Sequence, residues 1–123
     1  MAYQQQITQA FWQGMVKLVV LHQAGLAPLY GGRLSKYLRN LGYEISPGSL
    51  YPLLHAMEKA ELLHSRIKIF KGRVRKYYEL TPRGQACLEA VRQEVGGIMK
   101  EVIFGDLSAG DLLQEPANPR LLP

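Results

Sequence analysis

Two consecutive stretches limit what this chain can become. Residues 45–58, Ile-Ser-Pro-Gly-Ser-Leu-Tyr-Pro-Leu-Leu-His-Ala-Met-Glu, read as a short amphipathic helix opened by serine and proline. Residues 67–81, Ile-Lys-Ile-Phe-Lys-Gly-Arg-Val-Arg-Lys-Tyr-Tyr-Glu-Leu-Thr, alternate around a glycine as a basic β-hairpin does. At about 100° per residue, Leu50, Leu53, Leu54 and Met57 gather on one side of the helix. Gly48, Pro52, His55 and Lys59 fall opposite, with Ser49 and Tyr51 on the flanks. One side meets a core, and the other is left to touch something else.

The start of this helix has two solutions. Ser46 is a good N-cap with Pro47 as first helical residue. Pro52 then removes the bond to the Gly48 carbonyl and bends the helix. If Ser49 is the cap, Pro52 lies in the first turn, where its missing N–H costs little. The regular part is therefore expected to begin near Ser49.

Upstream, residues 6–24 read as a helix with two apolar stripes. Ile7, Phe11, Met15, Leu18 and Val19 make one; Trp12, Val16 and Val20 make the other. A helix apolar on two sides needs cover on both, and a second subunit would supply it. Gly25-Leu-Ala-Pro28 breaks it. A further helix is expected from about Leu29 to Asn40, with Leu34, Tyr37, Leu38 and Leu41 inward and Arg33, Lys36, Arg39 and Asn40 outward. Its Gly31-Gly32 pair lays backbone bare at a helix start, which suits either a phosphate or a loose helix entry. Leu41–Glu44 is the turn.

Downstream, Leu63, Ser65, Ile67 and Ile69 alternate with His64, Arg66, Lys68 and Phe70. Lys71-Gly72-Arg73 is the expected loop, and Val74–Leu80 the returning strand. Thr81 caps a last helix begun by Pro82 and expected to reach Phe104. There Leu88, Val91, Val95, Ile98 and Val102, spaced three, four, three, four, make a short coiled-coil seam. Gly96-Gly97 weaken it by roughly 1 kcal/mol each relative to alanine. The expected interface of a homodimer is this seam with Phe11 and Trp12. The expected organisation is residues 1–83 as a winged helix-turn-helix with an N-terminal helix, 84–104 as a dimerisation helix, and 105–123 as an irregular tail pinned by Leu107, Leu112 and Leu113. The fold class is mainly α with a small β-hairpin.

Charge is concentrated where this architecture needs it. The net charge is +5 over 123 residues. Residues 33–83 hold eleven Lys/Arg and four Glu, whereas residues 84–123 hold three basic and six acidic side chains. A basic centre around a hairpin is the footprint of a nucleic-acid face. A winged-helix module that binds protein and no DNA is the competing class. It has no need of Lys68, Lys71, Arg73, Arg75 and Lys76 together.

Other chemistry lacks a constellation. His22, His55 and His64 have no metal-ligand spacing, and Cys87 is the sole cysteine, so neither a metal site nor a disulfide framework is expected. Cys87 beside the apolar seam reads as a small hydrophobe. Ser49 and His55 lack an orienting acid, so no enzyme and no cofactor are expected. No signal peptide and no run of membrane-spanning length are seen, which agrees with a cytoplasmic protein.

The order helix, helix-turn-helix, hairpin, helix resembles the PadR family of transcriptional regulators in its small form with a single C-terminal helix. The matching residues are Leu29-Tyr-Gly31, the stretch Ile45–Leu54, and Gly72-Arg-Val-Arg-Lys-Tyr-Tyr-Glu-Leu-Thr-Pro-Arg-Gly84. Two positions depart: Gly31-Gly32 stands where the family often has Gly-Tyr, and Ala60-Glu61 where it often has Glu-Gly. The first affects phosphate contacts, the second a helix C-cap. The resemblance implies a homodimeric repressor on a palindromic operator in double-stranded DNA, released by a small-molecule effector. The expected DNA-binding residues are Tyr30, Gly31, Lys36, Gly48, Ser49, Tyr51, Pro52, His55, Lys59, Lys71, Arg73, Arg75 and Lys76. Trp12 is the candidate effector contact. Residues 84–103 contain no aromatic side chain, which argues against a flat ligand stacked on the last helix.

Overall fold

The computed structural model describes residues 2–105, so Leu107, Leu112 and Leu113 of the expected tail lie outside the described residues. Along the chain run α1 (Ala2–Leu26), α2 (Gly31–Asn40), α3 (Pro47–Lys59), β1 (Leu63–Phe70), β2 (Arg73–Leu80) and α4 (Pro82–Val102). This is a winged helix-turn-helix, as the patterning predicts.

The core draws on every element. Val16, Val20, Leu21 and Ala24 come from α1, Leu34 and Leu38 from α2, and Leu50, Leu54 and Met57 from α3. Leu63 and Tyr78 come from the hairpin and Leu88 from α4. Among the described residues, those up to Val91 belong to the compact unit that holds this core, and those from Arg92 onward belong to a second unit. In the second unit Val95 is half-buried, while Ile98 and Val102 are exposed.

α1 is longer than its apolar pattern. Its first turn, Ala-Tyr-Gln-Gln, is helix-compatible but carries no stripe that would announce it. The far end outlasts Gly25 and stops at Leu26, because the residue before Pro28 is pushed out of the α region.

Leu29 does not open α2. It is fully buried and pairs with Tyr78, accepting from Tyr78 N at 2.7 Å and donating to Tyr78 O at 2.9 Å. A single bridged residue has no period, so its apolar character reads like a helix position. Leu41, expected inward, is exposed. It caps the C-terminus of α2, and Gly42 at φ +99° turns the chain away before the helical period can carry Leu41 to the core.

α3 begins at Pro47 behind an extended Ser46, not near Ser49. Pro52 is tolerated inside it because Gly48, whose carbonyl loses the bond, lies on the exposed side. The far end closes in a Schellman motif. Leu62 N donates to Met57 O at 3.0 Å and Glu61 N to Glu58 O at 2.9 Å. Glu61 takes φ +63° there, at the position where glycine is the favoured residue.

β1 and β2 pair antiparallel from Leu63↔Leu80 to Phe70↔Arg73. The loop is two residues, not three. Lys71 (φ +50°) and Gly72 (φ +76°) both take positive φ, the type I′ turn whose twist suits a hairpin. Arg73 is therefore strand. Thr81 then caps α4, its hydroxyl accepting from Gly84 N at 2.9 Å and donating to Glu61 O at 2.6 Å. Gly84 has no room for a side chain: an added Cβ would lie 2.2 Å from Leu62 O.

Candidate nucleic-acid interface

The exposed side of α3 presents the residues that the helical period puts there. Gly48, Ser49, Tyr51, Pro52, His55 and Lys59 are all exposed, while Leu50, Leu54 and Met57 are buried and Leu53 half-buried. Ser46 Oγ lies 3.2 Å from Ser49 Oγ, which steadies the first turn. Tyr51 reaches across to α2, where its ring covers Gly31. A Cβ at Gly31 would meet Tyr51 Cε1 at 2.7 Å and its hydroxyl oxygen at 2.8 Å. Glycine at 31 is thus the reason Tyr51 can lie where it does. The start of α2 has no side-chain cap, and Lys36 is exposed on its outer face.

Opposite residues in an antiparallel pair share a face, so the hairpin register sorts the basic side chains. Arg66, Lys68, Arg73 and Arg75 share one face with Phe70 and Tyr77. Here the Arg75 guanidinium lies 4.4 Å from the Tyr30 ring centroid, and Tyr30 meets Tyr77 edge to face at 5.5 Å. Arg33 covers Tyr30 at 5.6 Å and is anchored by a hydrogen bond to Pro28 O, while Lys68 lies over Tyr77 at 5.5 Å. Tyr77, then Tyr30, favours the charged form of Arg75. Three cations thus lie over two phenol rings where the wing meets the start of α2.

The other face differs. Lys76 points to α3, its Nζ 3.5 Å from Glu58 Oε1. Glu58 also accepts hydrogen bonds from Ser65 Oγ and, at 3.0 Å, from Ser65 N. The Ser65 hydroxyl does most to hold the Glu58 carboxyl below its usual range; partial burial opposes it, and Lys76 and the Ser65 N–H add to the lowering. Lys76 is therefore already engaged, and the structure does not bring it together with Arg75. Arg39 and Arg66 are likewise paired, with Glu44 at 3.4 Å and Glu79 at 3.7 Å. Among the described residues Lys36, Lys59, Lys71 and Arg73 carry no ion pair, with Lys71 lying over the Phe70 ring at 5.5 Å.

The residue patterns do not single out Arg33, Tyr77 and Glu58 as members of the site. Tyr77 and Arg75 are two apart on one strand, which was the available signal. Glu58 meets Ser65 only because the Schellman turn folds β1 back beside α3.

Trp12 is half-buried and stacks on Tyr43 of the turn, with ring centroids 4.9 Å apart and planes 9° apart. Phe11 is exposed, as are Tyr3 and Ile7 of the same helix; Val91 and Val95 are half-buried. Among the described residues no group of His, Cys, Asp and Glu could hold a metal ion, and no helix is long and apolar enough to cross a membrane.

Residues 20–90 match the transcriptional regulator PadR-like family. A curated relative, transcriptional regulator Rv3488 of Mycobacterium tuberculosis, is 38% identical over 95 residues, spanning 77% of this chain and 89% of its own. A PadR-like transcriptional regulator of Bacillus cereus, BC4206, superposes with a TM-score of 0.71 at 31% identity, covering 87% of this chain and 99% of its own. A PadR family transcriptional regulator from Eggerthella lenta gives 0.71 at 29% identity, covering 94% and 99%.

Proposed function

The chain belongs to the PadR-like family of transcriptional regulators, and from that premise we propose a homodimeric repressor that binds a palindromic operator and answers to a small-molecule effector. The observation that carries the DNA contact is the pairing of two surfaces. α3 exposes Ser49, Tyr51, Pro52, His55 and Lys59 beside a wing whose tip carries Lys71 and Arg73 without acidic partners among the described residues.

In this reading α3 enters the major groove, where His55 and Tyr51 reach base edges or a phosphate. Lys71, Arg73 and Arg75 lie along the backbone, with Tyr30, Gly31 and Lys36 on the neighbouring phosphates. Lys76 holds the wing to α3 through Glu58. Exposed Ile7 and Phe11 of α1, and Ile98 and Val102 of α4, support a second copy as their cover. A two-fold dimer on one face of B-DNA spaces its reading helices about 34 Å apart, so half-sites lie about ten base pairs apart. A flat effector stacking on Trp12 would compete with Tyr43, which belongs to the turn leading into α3.

The experiment is operator selection from a random duplex pool, followed by salt titration on selected and random duplexes. Arg73→Ala is expected to weaken both alike and lower the salt slope by about 1. His55→Ala is expected to weaken the operator preferentially, by about 1–3 kcal/mol. Equal losses for His55→Ala on both duplexes remove it from the reading set. A chain that neither enriches any sequence nor binds random duplex is a protein-binding winged helix instead.

A further inference from the structure

The front of α3 has few ties to the rest of the fold. From Leu41 to Ser49 only Tyr43 and Ile45 are half-buried, and every other residue is exposed. Ser46 caps the helix with its backbone alone. Its carbonyl accepts from Ser49 N at 3.0 Å and from Leu50 N at 2.9 Å, and its side chain gives no cap hydrogen bond. The first buried residue of α3 is Leu50.

Both half-buried residues pack against the core. Ile45 does so as a plain aliphatic side chain. Tyr43 does so through its ring, which lies on Trp12 with centroids 4.9 Å apart and planes 9° apart. That separation between nearly parallel rings is an offset stack, the arrangement that ring quadrupoles favour. The backbone presents the ring. Gly42 at φ +99° turns the chain, and Tyr43 N donates to Leu38 O at 2.9 Å. Tyr43 is thereby fixed to the end of α2 while its ring reaches α1.

The far end of α3 is anchored separately. Glu58 accepts from Ser65 and pairs with Lys76, and the Schellman turn leads straight into β1. A short helix behaves as a rod, so an anchor at each end sets its direction. The front end carries Gly48, Ser49 and Tyr51, all exposed. Trp12 can serve as the front anchor because the exposed stripe of α1 lies elsewhere. Tyr3, Ile7 and Phe11 recur every four residues, and Trp12 is turned about 140° from Ile7 around the helix.

We infer that Trp12 and Tyr43 are positioning residues whose stack fixes the turn before α3 and so aims the side chains that read the operator. This rests on the DNA-binding function proposed above and adds to it two residues that act through α3. Hydrogen bonds to base edges weaken steeply as their angles change, and they carry the sequence information, whereas phosphate contacts do not. Loss of the stack therefore shows as lost discrimination.

The test uses the full chain with Tyr43→Leu, Trp12→Leu and Tyr43→Phe, the last keeping the ring and removing only its hydroxyl. Trp12 is the one tryptophan of the chain, so its emission reports the stack directly. Tyr43→Leu is expected to change that emission. Without DNA, both leucine variants are expected to speed amide exchange at Leu50, while Leu62 beyond the far end keeps its protection. The ratio of operator to random-duplex affinity is expected to fall about tenfold in both, on the order of one base contact. Tyr43→Phe is expected to keep the parental emission, exchange and ratio. An unchanged emission in Tyr43→Leu, exchange that rises equally at Leu50 and Leu62, or a parental ratio in the leucine variants overturns the inference and leaves the DNA-binding function standing. If the parent binds no duplex, the DNA-binding function fails by itself, and exchange at Leu50 still decides whether the stack positions α3.

Discussion

Glu61 is the clearest place to measure a cost that the backbone imposes. It occupies the left-handed position of the Schellman turn that ends α3, at φ +63°. A side chain there costs about 1–2 kcal/mol, which glycine avoids. Glycine also has more freedom to lose on folding, roughly 0.5–1 kcal/mol relative to alanine. The Glu61–Arg83 ion pair, 3.3 Å long between two exposed side chains, contributes at most about 0.5 kcal/mol in that setting. The backbone hydrogen bonds of the turn and the contact from Thr81 use main-chain atoms of Glu61, so substitution leaves them in place. Glu61→Ala, which keeps the strain and loses the pair, is expected to be less stable than the parent by a few tenths of a kcal/mol. Glu61→Gly is expected to exceed Glu61→Ala by about 0.5–1 kcal/mol, a shift of roughly half a molar in the urea midpoint at constant slope. Urea unfolding of the three proteins at one fixed chain concentration measures this and removes any contribution from assembly. If Glu61→Gly is no more stable than Glu61→Ala, the left-handed turn stores no strain.

Gly31→Ala is expected to displace the Tyr51 ring and weaken operator binding severalfold. The thermal midpoint would change little, because Tyr51 is an exposed side chain able to move. A variant with parental affinity would show that Tyr51 takes no part in binding. Glu58 is held charged below the usual carboxylate range, so its contribution is complete at neutral pH and is lost as pH falls through its lowered value. Glu58→Gln is therefore expected to be less stable than the parent at pH 7, with the gap closing as pH falls below the ordinary carboxylate range; a gap independent of pH in urea titrations would refute this. Val95→Asp/Ile98→Asp is expected to give monomer or unfolded chain by light scattering, and a stable dimer would move the interface elsewhere.

Much of this fold was legible because its signals are periodic. The face of Leu50, Leu53, Leu54 and Met57 is the one that packs inward, and the hairpin alternation predicts both strands to within one residue. Thr81 and Pro82 mark the start of α4 because capping is local chemistry. What was not legible lacks a period. Leu29 joins the sheet by one bridge, and Leu41 leaves the core because Gly42 bends the chain. The loop is short because Lys71 accepts a positive φ for which lysine gives no warning. In the candidate site, the outward side of α3 follows from the helix. The engagement of Lys76 by Glu58 and the stacking of Arg75 on Tyr30 depend on contacts between distant segments.

The bridge between Leu29 and Tyr78 has a consequence for how the molecule opens. Its two hydrogen bonds close a loop of about fifty residues that contains both α2 and α3, and such a closure is entropically costly to remake once lost. The hairpin below it is local and can re-form quickly by itself. Amide exchange is therefore expected to divide the hairpin. Amides near Phe70 and Arg73 exchange by fraying of the tip, whereas those of Leu29 and Tyr78 exchange together and only when the helix-turn-helix itself comes apart. Slow exchange at the base with fast exchange at the tip would mean that the far end of the hairpin can fray while its root stays joined to the segment that leads into α2.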